Sequence, residues 1–284
     1  MPPDDSASRW HYSTCPHDCP STCALEIKVL DEHRIGKVRG LRANGYTQGV
    51  ICSKVARYAE RANHPDRLMQ PLRLVGEKGV GRQNYRPISW DAALDEIAER
   101  LTLAEQKHGA ETVWPYFYAG TMGHVQRDGI ERLRHAKKYS RQYSTICVAL
   151  AEAGWMAGVG RKSGVDAREI AQSDLVVVWG GNPVNTQVNV MAWIAKAKKA
   201  RGAKLVVVDP YRTGTAEQAD LHLMVKPGTD GALAAAVGHV ILRDGLADRA
   251  YLARLTDFDA TVEAHYARST PQWAEAITGV PAAE

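Results

Sequence analysis

Leu175-Val176-Val177-Val178-Trp179-Gly180-Gly181-Asn182-Pro183 runs five apolar residues into a glycine pair and a proline. An apolar run of that length without alternation predicts a strand buried on both faces, as in parallel sheets. Downstream, Leu205-Val206-Val207-Val208-Asp209 repeats the pattern over a predicted strand at 204–208, and a third strand is predicted at 221–225, before Lys226-Pro227-Gly228-Thr229-Asp230. Helical periodicity fills the gaps over 185–201 and 230–243. Upstream, a strand is predicted at 112–118 and helices at 127–139 and 148–158. Ser89 is placed to cap a helix running from Trp90 to His108, with apolar residues at Ala93, Leu94, Ile97, Leu101 and Ala104 and Gly109 just past its end. Strands alternating with helices in this way predict an α/β fold with a mostly parallel, helix-covered sheet. After Asp248 only short helices are expected.

Residues 10–70 read differently. Alternation in Cys23–Val29 and Ile35–Val38 predicts a β-hairpin, Asn44-Gly45 a turn, and Ser53–Arg61 a short helix that ends before Pro65. Gly76–Gly81 reads as a hairpin loop. The expected organisation is a small β-rich unit over 1–70 and an α/β region over 71–284.

Composition narrows the function classes. In 284 residues, 45% apolar and 24% charged, there is enough material for a core without disulfide staples. A net charge of +4 and the lack of a polybasic arm point away from nucleic acid. The basic cluster Lys196, Lys198, Lys199 and Arg201 closes a predicted helix, where cations complement the dipole. No stretch of apolar residues is long enough for a membrane span. The N-terminal Met1-Pro2-Pro3-Asp4-Asp5 lacks the pattern of a secretion signal, so a cytoplasmic location is expected.

The five cysteines are Cys15, Cys19, Cys23, Cys52 and Cys147. The spacing Cys15-x3-Cys19-x3-Cys23, with Cys52 standing alone further on, gives four thiolates, the usual set for a [4Fe–4S] cluster. A loop can wrap one side of a cubane and a neighbouring element can supply the fourth ligand. Structural zinc stays open as the alternative, although no Cys-x2-Cys knuckle is present.

Cys15-Pro16-His17-Asp18-Cys19-Pro20-Ser21-Thr22-Cys23, Gly49-Val50-Ile51-Cys52-Ser53-Lys54, Pro87–Ala93, Trp179–Pro183 and Lys226–Asp230, in this order, resemble the molybdopterin oxidoreductase, or dimethyl sulfoxide reductase, family. The resemblance implies a [4Fe–4S] cluster and a bis-molybdopterin guanine dinucleotide carrying Mo or W. It implies two-electron redox chemistry on a small-molecule substrate, with electrons relayed through the cluster to a partner protein. It places Lys54 between cluster and pterin. It implies cofactor contacts from Trp179, Gly180, Gly181, Asn182, Asp209, Gly228 and Asp230, and pterin contacts from Gly120 and Thr121.

The residues carry part of this reading on their own. Glycines admit close approach of a ligand to the backbone, and ligands of open α/β sheets gather at the carboxyl ends of strands. Asp209 arrives at that edge, and Asp230 reads equally as a helix N-cap or a guanine contact. No Gly-x-Gly-x-x-Gly or Gly-Lys-Ser/Thr loop is present, which disfavours NAD and ATP. Cys147, before the helix at 148, occupies the place of the family's metal ligand. A buried thiol is the alternative there, and Ser144 is the other candidate ligand. Val148 stands where the family's formate dehydrogenases have histidine, and His124 and His135 have no matched role. Family chains are longer and end in a β-barrel domain, so this chain is expected to be incomplete relative to them and to need those C-terminal parts or a partner. Two further readings stay open: a non-catalytic iron–sulfur electron-transfer subunit or fragment, and a zinc-stabilised binding module.

Overall fold

The computed structural model describes residues 9–17, 19–116, 129–143 and 148–284. Cys147, Ser144, Gly120, Thr121 and His124 lie outside the described residues. The chain divides into two compact units, one ending at Gly164 and the other running Val165–Glu284.

The first unit opens with an antiparallel sheet in the order β1 (Arg9–Thr14), β2 (Ala24–Val29), β3 (Ile35–Gly40). The hairpin of β2 and β3 is the expected one, with an irregularity between Ile27 and Val29. Leu25 and Val38 turn inward and pack with Cys23 and Val55. Gly40 lies so close to Gly49 that a Cβ on Gly40 would stand 2.3 Å from the Gly49 carbonyl oxygen. This backbone contact brings the segment leading to Cys52 onto the end of β3. Asn44 holds the intervening turn, its Oδ1 accepting from the Tyr46 and Thr47 amides at 3.1 and 2.8 Å. The helix expected over 53–61 is two short helices, α1 (Ser53–Ala56) and α2 (Tyr58–Ala62), broken at Arg57 where ψ is 15°.

Beyond it, β4 (Leu72–Leu74) and β5 (Tyr85–Pro87) pair antiparallel around the glycine-rich loop. Helix α3 (Trp90–His108) starts where the Ser89 hydroxyl accepts from the Ala92 amide and stops at Gly109, φ 86°. Its apolar face is real but uncovered among the described residues, with no α3 residue buried. The strand expected at 112–118 is absent over its described part: a 3-10 turn at Ala110–Thr112 gives way to irregular chain at 113–116. Pro115 has no N–H to give a ladder, which argues against a strand there. Helices α4 (Gly129–Lys137) and α5 (Val148–Val159) follow.

The second unit is built on a parallel sheet in the order β6 (Leu175–Trp179), β7 (Lys204–Val208), β8 (Leu221–Leu223). Strand β8 stops two residues short of the expected 225. The predicted helix 185–201 is a single turn, α6 (Pro183–Thr186), and a longer helix, α7 (Val188–Arg201), separated at Gln187. Ile194 of α7 packs with Leu205, Val207 and Ala216, while Val208, Leu223, Val225, Leu233 and Val280 form a second core. Helix α8 (Asp230–Arg243) has the expected bounds. Helices α9 (Arg249–Leu255), α10 (Ala260–Arg268) and α11 (Pro271–Thr278) are capped by Asp248, Asp259 and Thr270.

The expectation of two-face burial fails for β6. Val176 and Val178 pack into the core, but Leu175, Val177 and Trp179 stay 57%, 48% and 40% exposed. The central β7 has partners on both sides, whereas among the described residues β6 pairs only with β7 and has one face covered. No helix among the described residues is long and apolar enough to cross a membrane.

Candidate functional site

The cysteine loop leaves β1 and re-enters at β2, closed by the Cys15 amide donating to the Cys23 carbonyl at 2.8 Å. Cys23 is buried with Leu25, Val38 and Val55, and Cys15 and Cys52 pack partly buried against the same cluster. Cys52 immediately precedes α1. None of Cys15, Cys19, Cys23 and Cys52 is in a disulfide. Burial is the main cause that pushes the Cys15 thiol up, and the negative charge of the Cys52 and Cys19 thiolates adds to it. The sequence-spaced thiols therefore sense one another in space, and a cationic centre among them would reverse that penalty.

This donor set fits an iron–sulfur cluster. A tetrahedral zinc site draws its thiolates to within about 3.8 Å of one another, from a Zn–S bond of about 2.3 Å. A cubane spaces them more widely, with one thiolate on each iron. His17 Nε2 and Ser21 Oγ, both in this loop, are enclosed with no hydrogen-bond partner among the described residues.

Lys54 is exposed on α1 and lines an open cleft of about 650 Å³ with His17, Arg57, Tyr58, Arg61 and Arg67. The Tyr58 ring lies 5.4 Å from that of His17. Burial, then the Cys15 charge, pushes the Tyr58 hydroxyl up. Sequence reading singled out Lys54 alone. Arg57 and Arg61 follow Lys54 at i+3 and i+7, the spacing of one helical face, and Glu60 and Asp66 line the same cleft, with Arg57 paired to Glu60.

In the second unit the predicted residues meet at the carboxyl edge of the parallel sheet. Gly180 takes φ 62°, a left-handed conformation costly to other residues, and its amide donates to the Val208 carbonyl at 2.9 Å. Gly228, at φ 80°, makes the matching turn before α8. Trp179 Nε1 donates to Asp230 Oδ1 at 2.8 Å and so ties the end of β6 to the start of α8.

The cap reading of Asp230 is corrected by this geometry. Thr229 is the N-cap and uses no side-chain cap bond, and Asp230 sits in the first turn. A carboxylate there is favoured by the helix dipole. It already brings negative charge to the α8 terminus, so it suits the N–H groups of a guanine edge better than a phosphate.

Asp209, 7% exposed, follows β7 and accepts from the Tyr211 amide at 3.2 Å. His222 Nε2 lies 3.1 Å from the Asp209 carbonyl oxygen. Asn182 accepts from the Thr215 hydroxyl at 2.7 Å, a partner that sequence reading did not name. The chain thus brings together Trp179, Gly180, Asn182, Asp209 and Asp230 on connected strands and loops.

The sequence profile of the molybdopterin oxidoreductase Fe4S4 domain matches residues 8–64, and that of molybdopterin oxidoreductase matches residues 67–271. A probable oxidoreductase of Bacillus subtilis is 35% identical over 94% of this chain and 39% of its own length. Formate dehydrogenase H of Escherichia coli is 32% identical, over 96% of this chain and 38% of its own. Among solved structures, acetylene hydratase from Pelobacter acetylenicus superposes with a TM-score of 0.73 at 26% identity, covering 96% of this chain and 37% of that one. The chain spans about two fifths of the length of these relatives.

Proposed function

The chain belongs to the molybdopterin oxidoreductase family, and on that premise we propose that it is the cluster-bearing and nucleotide-binding part of an enzyme doing two-electron redox chemistry at molybdenum or tungsten. The observation that carries the reading is the packing of Cys15, Cys23 and Cys52 in one apolar cluster, with Cys19 near enough for its charge to act on the Cys15 thiol. In this proposal the four thiolates hold a [4Fe–4S] cluster. Lys54 lays a positive charge along the cleft beside the loop, which favours the electron-rich state of a neighbouring redox group. The sheet edge of Trp179, Gly180, Gly181, Asn182, Asp209, Gly228 and Asp230 binds the guanine dinucleotide arms of bis-molybdopterin guanine dinucleotide. Gly120 and Thr121 are assigned to the pterin, and Cys147 to the Mo or W ion. When bound, the metal–pterin supplies the redox chemistry, and the chain supplies orientation and electrostatics. Electrons leave through the cluster to a partner protein, and the substrate is a small molecule. The remaining parts of the active site come from segments equivalent to those by which the relatives are longer.

The test is elemental analysis of anaerobically purified chain together with its low-temperature electron paramagnetic resonance spectrum. About four Fe per chain and a reducible cluster signal are expected. One Zn per chain without Fe removes the cluster, and with it the relay.

A further inference from the structure

Thr215 is fully buried, 0% exposed, yet its hydroxyl serves the loop after β6 from 33 residues away. It accepts from the Val184 amide at 3.3 Å and donates to Asn182 Oδ1 at 2.7 Å. The Asn182 backbone carbonyl is also engaged, by the Asn185 and Thr186 amides at 2.9 and 3.0 Å and the Thr186 hydroxyl at 2.9 Å. Both the main chain and the amide plane of Asn182 are therefore held.

The consequence is chemical. An amide has one acceptor end and one donor end. Thr215 occupies the acceptor end, so Asn182, itself only half-buried, offers its Nδ2 amino group. With the amide turned over, Thr215 would receive two donors, Val184 N–H and Asn182 Nδ2–H, and its own proton would find an acceptor in neither. Thr213 supports the same segment, its Oγ1 accepting from the Ala216 amide at 3.1 Å.

We propose that Thr215 is a positioning residue that fixes the Asn182 amide with its NH2 toward the ligand. The ligand atom opposite Asn182 is then a hydrogen-bond acceptor, such as a phosphate or sugar oxygen, and not a guanine N–H. Asp230, an acceptor, takes the donor edge of the base. The two side chains thus divide the nucleotide between them and set its direction along the sheet edge. This inference rests on the proposal that the edge binds the nucleotide arms.

The test uses guanosine diphosphate as the probe, titrated calorimetrically into the full chain. Thr215→Val keeps the shape of the side chain and removes the hydroxyl; it is expected to weaken binding about tenfold. Thr215→Ser restores the hydroxyl and is expected to bind like wild type. Asn182→Asp still accepts from Thr215 but has no N–H, and is expected to weaken binding more than Thr215→Val does. The double variant Thr215→Val with Asn182→Ala should bind no worse than Asn182→Ala alone. Circular dichroism checks that each variant is folded, and Thr215→Ser carries the test if the valine variant is not: a loss of affinity in folded Thr215→Ser overturns the proposal. Wild-type affinity in folded Thr215→Val, or in Asn182→Asp, overturns it while the nucleotide reading stands. A wild-type chain that does not bind guanosine diphosphate removes the nucleotide reading and this inference with it.

Discussion

At Gly40 one methyl group separates a closed cluster unit from an open one. A Cβ there would stand 2.3 Å from the Gly49 oxygen and 2.5 Å from its carbonyl carbon, both backbone atoms that no rotamer change moves aside. Gly40→Ala is therefore expected to push Gly49–Cys52 off β3 and to lower Fe incorporation at least severalfold, read as Fe per chain after reconstitution; full loading would refute the close approach. Asp220 is a residue whose charge does structural work elsewhere. It accepts from Lys198 Nζ and from the Leu205 amide, both at 2.8 Å, and the Lys198 bond first, then the amide, bring its carboxyl down to about 2. A depressed folded value means the stabilisation is present above the unfolded value of 3.8 and is lost as pH falls toward about 2. Wild type should thus unfold at higher urea than Asp220→Asn near pH 6, with the gap closing by about pH 2. A gap independent of pH would mean the carboxylate charge is not its source. At this scale the sequence spoke unevenly. Cysteine spacing exposed Cys15, Cys19, Cys23 and Cys52 because ligands must come in sets, whereas nothing local marks Thr215, whose partner Asn182 is brought to it by β7 and the turn after it.

Elements were legible where one periodicity ran unopposed. Helices α3 and α8 and strands β6 and β7 have the bounds that their apolar patterns predicted. Strand β1 was missed although Trp10 and Tyr12 alternate with Arg9, His11 and Ser13, because the alternation is short and Arg9–Thr14 is exposed along its whole length; its pairing with β2 makes it a strand. The strand expected at 112–118 failed the other way over its described part, 112–116, on β-rich composition without a ladder. Helical periodicity also hides how much each face is covered, and α7 and α3 make the contrast. Ile194 in α7 is 1% exposed among Leu205, Val207 and Ala216. Ile194→Ala is expected to cost about 2–5 kcal/mol, from lost transfer free energy and the cavity left behind. Leu94 in α3 is 56% exposed. Leu94→Ala in this chain should stay within about 0.5 kcal/mol, as surface substitutions do. Chemical denaturation of the two variants decides it. A loss of several kcal/mol at Leu94 would show that the α3 face is covered in solution.

For the whole molecule, the division at Gly164 and Val165 separates two kinds of stability. The second unit carries two apolar cores around β7, neither of which includes a cysteine. The core of the β1–β3 sheet is a single small cluster in which Cys23 is buried and Cys15 and Cys52 sit at the margin. Burial first, and then the charges of Cys52 and Cys19, push the Cys15 thiol up, a cost to its thiolate form. A ligand that binds only the folded form stabilises by an amount that grows with its occupancy, and a tightly held cluster acts in this way. Hydrogen exchange followed by mass spectrometry, on chain as isolated and on chain stripped of iron by a chelator, should therefore change unevenly. Protection is expected to fall at least tenfold over β1–β3 and the Gly49–Ala56 segment, and to hold steady over β6–β8 and α7. Equal loss in both units would mean that the sheet of the second unit depends on the cluster as well. No loss in either would mean that the four cysteines do not hold the group that stabilises this chain.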